Sequence, residues 1–343
     1  MTSKRVTIAD VARAAGVSPG TVSRVINRRA GTVKISDATR HLVLETADRL
    51  GYSPNPFATA LRTQRTGVIG AIVRDVGDPF LSMLLREIQH AARQEGVDVL
   101  FGHAEYDLQV VGRHLAFMHS HLFDGLLLLG DIQGDQAIIA ELIKSNTPFV
   151  TVARGESTSF PLVNIDELAG THLALDYLYG LDHRRIAFVG NLEHGGVSER
   201  LKFFRDFLHE KDLDACSAYI QTCANSRSAA LQCAQQLLRL SAPPTAIFCA
   251  TDLAALGVIN GLLRAGWNVP AEMSVVGFDD IEGTADTSPA LTTVRQPAGE
   301  MAERAVRLLM RLIEGAPLDD GEMRAVIQPK LIVRDSCAAP RHN

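Results

Sequence analysis

From Gly67 onward the sequence sets short β-rich runs between amphipathic helices, and it does so in two consecutive series, which leaves few folds open. The first series has candidate strands at Val68–Val73, Val97–Phe101, Gly125–Leu129 and Phe149–Val152, with helices near 80–95, 109–120 and 135–145. The second has strands at Arg185–Val189, Tyr219–Gln221, Ala246–Cys249 and Ser274–Gly277, with helices near 167–180, 198–211, 227–240 and 252–265. Helices that cross over between strands cover both faces of a sheet and make its strands parallel. Two such series imply two doubly wound parallel sheets, with ligand crevices at the carboxyl ends of the strands.

Glycine usage argues against a nucleotide cofactor. Gly67-Val-Ile-Gly70 lies inside a strand, no G-x-G-x-x-G follows one, and neither a P-loop nor a G-x-S-x-G elbow occurs. His183, with Arg184 and Arg185, directly precedes a strand and reads as part of a turn rather than as a catalytic group. His103, His114, His119 and His121 form no evident metal constellation and read as surface or loop residues. The five cysteines (Cys216, Cys223, Cys233, Cys249 and Cys337) are odd in number and include no C-x-x-C pair, so they read as small core residues of a reducing compartment. The N-terminus lacks the apolar stretch of a secretory signal, and the longest apolar runs, such as Gly125 to Gly130, are far shorter than a membrane span. The expectation is a cytoplasmic protein with no membrane partner, no cofactor, no metal and no catalytic residues.

Residues 1–66 are of another kind. They hold eleven Lys or Arg against four Asp or Glu, a balance of +7, whereas the whole chain of 343 residues carries −5. A basic head on an acidic body points to a head that meets a polyanion, although a solvated positive face has the same composition. Thr7 stands before the helical pattern Ile8, Val11, Ala12, Ala15, with Asp10 three residues on as in a capping box. Gly16 ends that helix, Val17 is an apolar plug, Ser18 is the next cap, and Pro19 takes the first helical position, where its missing N–H costs nothing. The second helix runs to about Ile26 with Val22, Val25 and Ile26 inward, and a third from Ser36 to Leu50, with Val43, Leu44, Ala47 and Leu50, braces the pair. Two short helices joined by a glycine-bearing turn form a helix-turn-helix. The outward residues of the second (Pro19, Gly20, Thr21, Ser23, Arg24 and Asn27) are small or hydrogen-bonding, which suits a helix entering the major groove; the pattern alone also fits another small helical bundle.

The run Val6-Thr-Ile-Ala-Asp-Val-Ala-Arg-Ala-Ala-Gly-Val-Ser18, then Thr21-Val-Ser-Arg-Val-Ile-Asn27, closely resembles the head of the lactose-repressor (LacI/GalR) family. So does Leu50-Gly-Tyr-Ser-Pro-Asn-Pro-Phe-Ala-Thr-Ala-Leu-Arg62. The resemblance implies base reading at Pro19, Gly20 and Arg24, and backbone or positioning contacts by Thr7, Ser18, Thr21, Ser23, Asn27, Arg28, Tyr52 and Asn55. Pro19 and Gly20 have no hydrogen-bonding side chain, so direct readout falls mainly to Arg24, whose bidentate pairing with guanine is worth about 1–3 kcal/mol. Residues 28–35 are longer than is usual, and Arg28, Arg29 and Lys34 there are placed to reach the DNA backbone. The segment 54–66, with Ala58, Leu61 and Arg62, is too short for a stable isolated helix. By resemblance it folds against its dimer mate on DNA, with Leu61 wedged into a minor-groove base step.

The body resembles the periplasmic-binding-protein-like core of the same family through Asp78-Pro-Phe80, Gly180-Leu-Asp-His-Arg-Arg-Ile-Ala-Phe-Val-Gly190, Thr251-Asp-Leu-Ala-Ala-Leu-Gly257, Ser274-Val-Val-Gly-Phe-Asp-Asp280 and Ser288-Pro-Ala-Leu-Thr-Thr-Val-Arg-Gln-Pro297. The implied fold class is an N-terminal all-α helix-turn-helix head plus an α/β periplasmic-binding-protein-like core of two doubly wound parallel-sheet lobes. The expected divisions are a head at 1–53, a hinge at 54–66 and a core at 67–343. Lobe one takes 67–163 and 294–325, lobe two takes 164–293 and 326–340, and crossings fall near 162–165, 291–294 and 324–328.

Matching positions imply an effector site of Asp78, Phe80, Arg154, His194, Arg200, Thr251 and Asp279. Arg200 and Asp279 carry the main polar recognition, since a guanidinium facing a carboxylate suits a polyhydroxylated ligand. Phe204 stands where the family commonly has a glycine, and His194 and Ala224 depart from the purine-sensing branch, which leaves a sugar, sugar acid or sugar phosphate as the expected effector. The implied function is allosteric repression by a homodimer on double-stranded operator DNA. A solute-binding protein for transport would share the body but not the head. An α/β enzyme would need a catalytic constellation that the sequence does not offer.

Overall fold

The structure, a computed structural model, describes residues 6–26, 35–52, 65–118, 123–131, 134, 136–155, 160–213 and 216–341. The chain divides into two compact units, Met1–Thr66 and Gly67–Asn343.

In the first unit the capping signals set the helix ends. Thr7 Oγ1 accepts from the Asp10 amide at 3.4 Å while Asp10 Oδ2 accepts from the Thr7 amide at 3.0 Å, and this reciprocal box starts α1 (Ile8–Ala15). Gly16, at φ 66°, closes it in the left-handed region. Ser18 Oγ accepts from the Thr21 amide at 3.1 Å at the start of α2 (Pro19–Ile26). Ser36 does the same for Thr39 at the start of α3 (Asp37–Arg49). Val11, Ala12, Ala15, Val22, Val25, Val43 and Ala47 form the core of the three helices. Leu44 does not join them; like Leu42 it is exposed. The helical period places Val43 and Ala47 on the inner face, and a residue one step from Val43 lies about 100° around the helix.

In the second unit, strands β1 (Val68–Val73), β2 (Asp98–His103), β3 (Leu126–Leu129), β4 (Phe149–Val152) and β5 (Leu162–Ile165) alternate with helices α4 (Pro79–Gln94), α5 (Leu108–Met118) and α6 (Gln136–Lys144). Then come α7 (Glu167–Gly180), β6 (Ile186–Gly190), α8 (Gly195–Glu210), β7 (Ile220–Thr222), α9 (Arg227–Leu238), β8 (Ala246–Cys249), α10 (Asp252–Arg264) and β9 (Ser274–Asp279). The chain ends with β10 (Thr292–Arg295), α11 (Ala298–Ile313), α12 (Asp320–Met323), β11 (Arg324–Ile327) and β12 (Lys330–Ile332).

These strands make two six-stranded sheets, ordered β11-β5-β4-β3-β1-β2 and β12-β10-β9-β8-β6-β7. Every pairing in the first is parallel. In the second, all pairings are parallel except that of β12, which runs antiparallel to β10. Strands of both sheets point their carboxyl ends at the same crevice, so a chain that leaves the first sheet at β11 and runs on into the second must enter it reversed. The passages between sheets lie at 165–167, 295–298 and 327–330, a few residues later than the spans expected from sequence. Helix α11 and strands β10 to β12 lie beyond the two series read from sequence; α11 packs on α4 and β4 of the first lobe.

Three apolar clusters hold this unit. One belongs to each lobe, and the largest runs through both, from Ile69, Leu84 and Val150 to Phe188, Phe204 and Phe278. Cys233 and Cys249 are buried in the second-lobe cluster. His183 is a buried clamp rather than a turn residue. Its Nε2 lies 3.0 Å from Ser274 Oγ and 2.9 Å from the Ala338 carbonyl, which ties the C-terminal segment to β9.

Candidate effector cleft and DNA-facing helix

Each strand that ends at the crevice delivers a side chain to it, as expected of an open α/β sheet at its switch point. Arg74 and Asp78 follow β1, Asp131 follows β3, Ala153 follows β4 and Glu167 follows β5; from the second lobe come His194 after β6, Thr251 after β8, Asp279 at the end of β9 and Gln296 after β10. With Phe80, Leu81, Gly196, Val197 and Arg200 they line about 430 Å³ of space that is partly open to solvent.

Six of the seven residues expected from sequence line this cleft: Asp78, Phe80, His194, Arg200, Thr251 and Asp279. Arg154 does not. It stands behind the wall, its Nε 3.3 Å from Asp131 Oδ1 and its guanidinium 5.2 Å from the centre of the Phe160 ring. The backbone turns at Ala153, φ 54°, which sends the next side chain away from the cavity.

The charges inside are matched in pairs. Arg200 holds Glu167 through two bonds, Nε to Oε2 at 2.6 Å and Nη2 to Oε1 at 2.9 Å, and spends Nη1 on the Ala250 carbonyl at 2.6 Å. Its guanidinium lies flat on Phe278 at 3.6 Å. Three of its five N–H groups are therefore used by the protein, and two remain for a ligand. Arg74 Nη2 binds Asp78 Oδ2 at 2.6 Å, while Asp78 Oδ1 caps α4 through the Phe80 amide at 3.0 Å. Asp279 accepts from Gln296 Nε2 at 2.6 Å. Burial holds its carboxyl well above the usual range, against the pull of Arg200, and burial likewise raises Glu167. Asp279 also sits at φ 123°, where a side chain is strained by about 1–3 kcal/mol, a cost typical of functional positions.

Several contacts join the two lobes across the cleft. Asp131 Oδ2 accepts from the Gly195 amide at 2.8 Å at the start of α8. A Cβ at Gly195 would lie 2.6 Å from that oxygen, and one at Gly196 would lie 2.7 Å from Glu167 Oε1, so only glycine permits this approach. Thr251 Oγ1 donates to Asn225 Oδ1 at 2.9 Å, and Asn225 Nδ2 reaches Asp78 Oδ2 at 3.5 Å. Tyr106 of the first lobe stacks on His194 of the second with their planes 9° apart, and its hydroxyl lies 3.3 Å from His194 Nε2. Burial, then the nearby Arg74 and Arg200, pushes the His194 imidazole down to about 3, so it is neutral at pH 7.

Arg74, Glu167, Asn225 and Gln296 escaped the reading of the sequence. Glu167 looks there like an ordinary acidic residue in a first helical turn, and only the packing of α7 on α8 brings Arg200 to it.

In the first unit Thr7, Ser18, Pro19 and Gly20 are exposed and Thr21, Ser23 and Arg24 are half-buried. Arg24 lies along the α2 face over Gly20, where a Cβ would be 3.8 Å from its Nη2. Tyr52 packs against the helical core, and burial raises its phenol. Asn27, Arg28, Asn55, Ala58, Leu61 and Arg62, with Arg29 and Lys34, lie outside the described residues.

Residues 7–55 match the lacI family of bacterial regulatory proteins, and residues 175–337 match a periplasmic binding protein-like domain. The HTH-type transcriptional repressor CytR of Escherichia coli strain K12 is 33% identical over 336 residues, covering 97% of this chain and 96% of that protein. The chain belongs to the LacI family. This LacI-family chain also shares its fold with a lac repressor dimer solved bound to operator and the anti-inducer ONPF, with a TM-score of 0.88, 26% identity and coverage of 98% of this chain and 100% of that one. A complex of the regulator CelR with cellobiose gives a TM-score of 0.72 at 27% identity, covering 97% and 100%. Like its relatives, this LacI-family member is a DNA-binding transcriptional regulator.

Proposed function

We propose that the chain is a cytoplasmic, non-enzymatic repressor that binds a pseudopalindromic operator as a homodimer and changes its operator affinity when a sugar or sugar derivative fills the cleft. The observation that carries this reading is one chain holding both a lacI-type head, with Thr21, Ser23 and Arg24 along α2, and a cleft lined by hydrogen-bonding groups from two lobes. The operator-bound lac repressor and the cellobiose-bound CelR support the two partners.

In the head, the N-terminus of α2 and its short side chains suit phosphate contact and close approach, and Arg24 supplies guanine recognition. Two copies fit the two-fold symmetry of such an operator. The outer strand β2 exposes Leu100 and Phe101 at 57% and 52%, an apolar edge suited to a second copy of the chain. No helix among the described residues is long and apolar enough to cross a membrane.

Coupling follows from the contacts that straddle the cleft. A ligand held by Arg200 and Asp279 from the second lobe and by Asp78 from the first biases how the lobes meet, and a bias of about 1–3 kcal/mol alters operator affinity 5- to 150-fold. The test is fluorescence anisotropy on operator-length duplexes with the full chain and with residues 67–343. Binding that needs the head, and that weakens steeply with salt, is expected. Equal binding by both proteins would refute the reading.

A further inference from the structure

Among the described residues, the cleft has no cation left over for an anion. Arg74 is matched by Asp78 at 2.6 Å, Arg200 by Glu167 at 2.6 Å, and Arg154, behind the wall, by Asp131 at 3.3 Å. Asp279 adds a fourth carboxyl and forms no ion pair among the described residues. His194, wedged between Arg74 and Arg200, is uncharged at pH 7. What the walls do offer are hydrogen bonds. Arg200 keeps two N–H groups, Gln296 and Thr251 add amide and hydroxyl groups, and the Arg74 Nε–H is buried with no partner although its residue lines the cavity. Such a donor is satisfied by a neutral oxygen at no electrostatic cost. Phe80, Leu81 and Val197 provide an apolar wall for the carbon skeleton of a ring.

Resting on the effector reading above, we infer that the cleft selects an uncharged polyhydroxylated ligand and rejects its phosphorylated and carboxylated derivatives, because each guanidinium is already neutralised by a buried carboxylate. A phosphate or carboxylate placed among these walls would lose its hydration, meet no unmatched positive charge, and lie beside the carboxylates of Asp78 and Glu167. That penalty corresponds to binding at least about a hundredfold weaker than the neutral parent.

Two sets of thermal-shift measurements on the full chain test this. In the first, inorganic phosphate is titrated at constant ionic strength into the wild type, Asp78→Asn and Glu167→Gln. Asparagine still caps α4 at position 78, so that variant keeps its fold. The wild type is expected to be indifferent, and at least one variant, now holding an unmatched guanidinium, is expected to be stabilised saturably. Saturable stabilisation of the wild type, or indifference of both variants, would overturn the inference. In the second set, glucose, ribose and cellobiose are compared with glucose 6-phosphate, gluconate and ribose 5-phosphate. Stabilisation by a neutral sugar and not by its charged derivative supports the inference, and the reverse preference sinks it. Failure of the effector reading itself is seen separately, as operator affinity that no sugar or derivative moves, whatever phosphate does to the variants.

Discussion

His194 offers the sharpest test of the cleft's electrostatics. Its ring is 4% exposed, faces Arg74 and Arg200, and takes a proton only near pH 3 when folded, against 6.5 for an ordinary histidine. A folded value below the unfolded one means that the unfolded chain takes up the proton first. Stability is then fully present above pH 6.5 and is lost as pH falls from there toward 3. Between pH 7 and pH 5 linkage gives a loss of about 2 kcal/mol from this one group. Asp252, pushed up to about 6 by burial, acts in the opposite direction, as do Asp279 and Glu167, so the wild type's net pH dependence is a mixture. Comparison with His194→Gln cancels those groups, and it also cancels any pH-independent loss from the broken stack with Tyr106. Trp267, the chain's single tryptophan, packs against the second-lobe core, so urea unfolding followed by its fluorescence reports on the lobe that carries His194. Going from pH 7 to pH 5, the wild type should lose about 2 kcal/mol more than the variant. Equal pH dependence in the two proteins would refute the claim that this imidazole is buried neutral between two guanidiniums.

Other outcomes follow from the same geometry. Glu167→Gln leaves Arg200 buried with a neutral partner and should lower stability by about 3 kcal/mol in the same fluorescence assay; a loss under about 1 kcal/mol would mean that the pair is solvated. Thr7→Ala removes one half of the α1 capping box, and hydrogen exchange of α1 amides should quicken by the equivalent of about 1 kcal/mol. Arg24→Ala should flatten base preference at one position of each half-site by about 1–3 kcal/mol in a selection from randomised duplexes. Gly20→Ala should leave the thermal stability of the head nearly unchanged, since its Cβ meets nothing closer than Ser18 Oγ at 3.7 Å.

What the sequence discloses depends on how local each signal is. The head's helix ends were readable because Thr7, Gly16, Ser18 and Ser36 act within three or four residues of themselves. The strands of the two series were readable from their apolar runs. Helix α11 carries an equally clear spacing at Met301, Ala302, Ala305, Val306, Leu308 and Leu309, yet it falls after the point where the alternating series ends. Strands β10 to β12 are short and cross between sheets, so their neighbours are distant in sequence. The cleft was legible where resemblance marked it, at Arg200 and Asp279. Its charge balance was not, because Glu167 and Arg200 are separated by 33 positions and Asp78 meets Asn225 across 147. Arg154 shows the converse: its sequence position is beside the cleft, and a backbone turn at Ala153 carries its side chain elsewhere.

The order of the strands also bears on how such a chain is made. The first lobe begins at Val68, but its outermost strand, Arg324–Ile327, and the helix Ala298–Ile313 that covers α4 and β4 are translated after the whole second sheet except β12. A ribosome that has released residues up to about 296 therefore holds a second half complete but for β12 beside a first half with one flank bare. Domains generally fold as units in order of synthesis, and here the earliest-made portion is completed almost last, so premature termination before residue 298 should yield an aggregating product rather than a smaller working one.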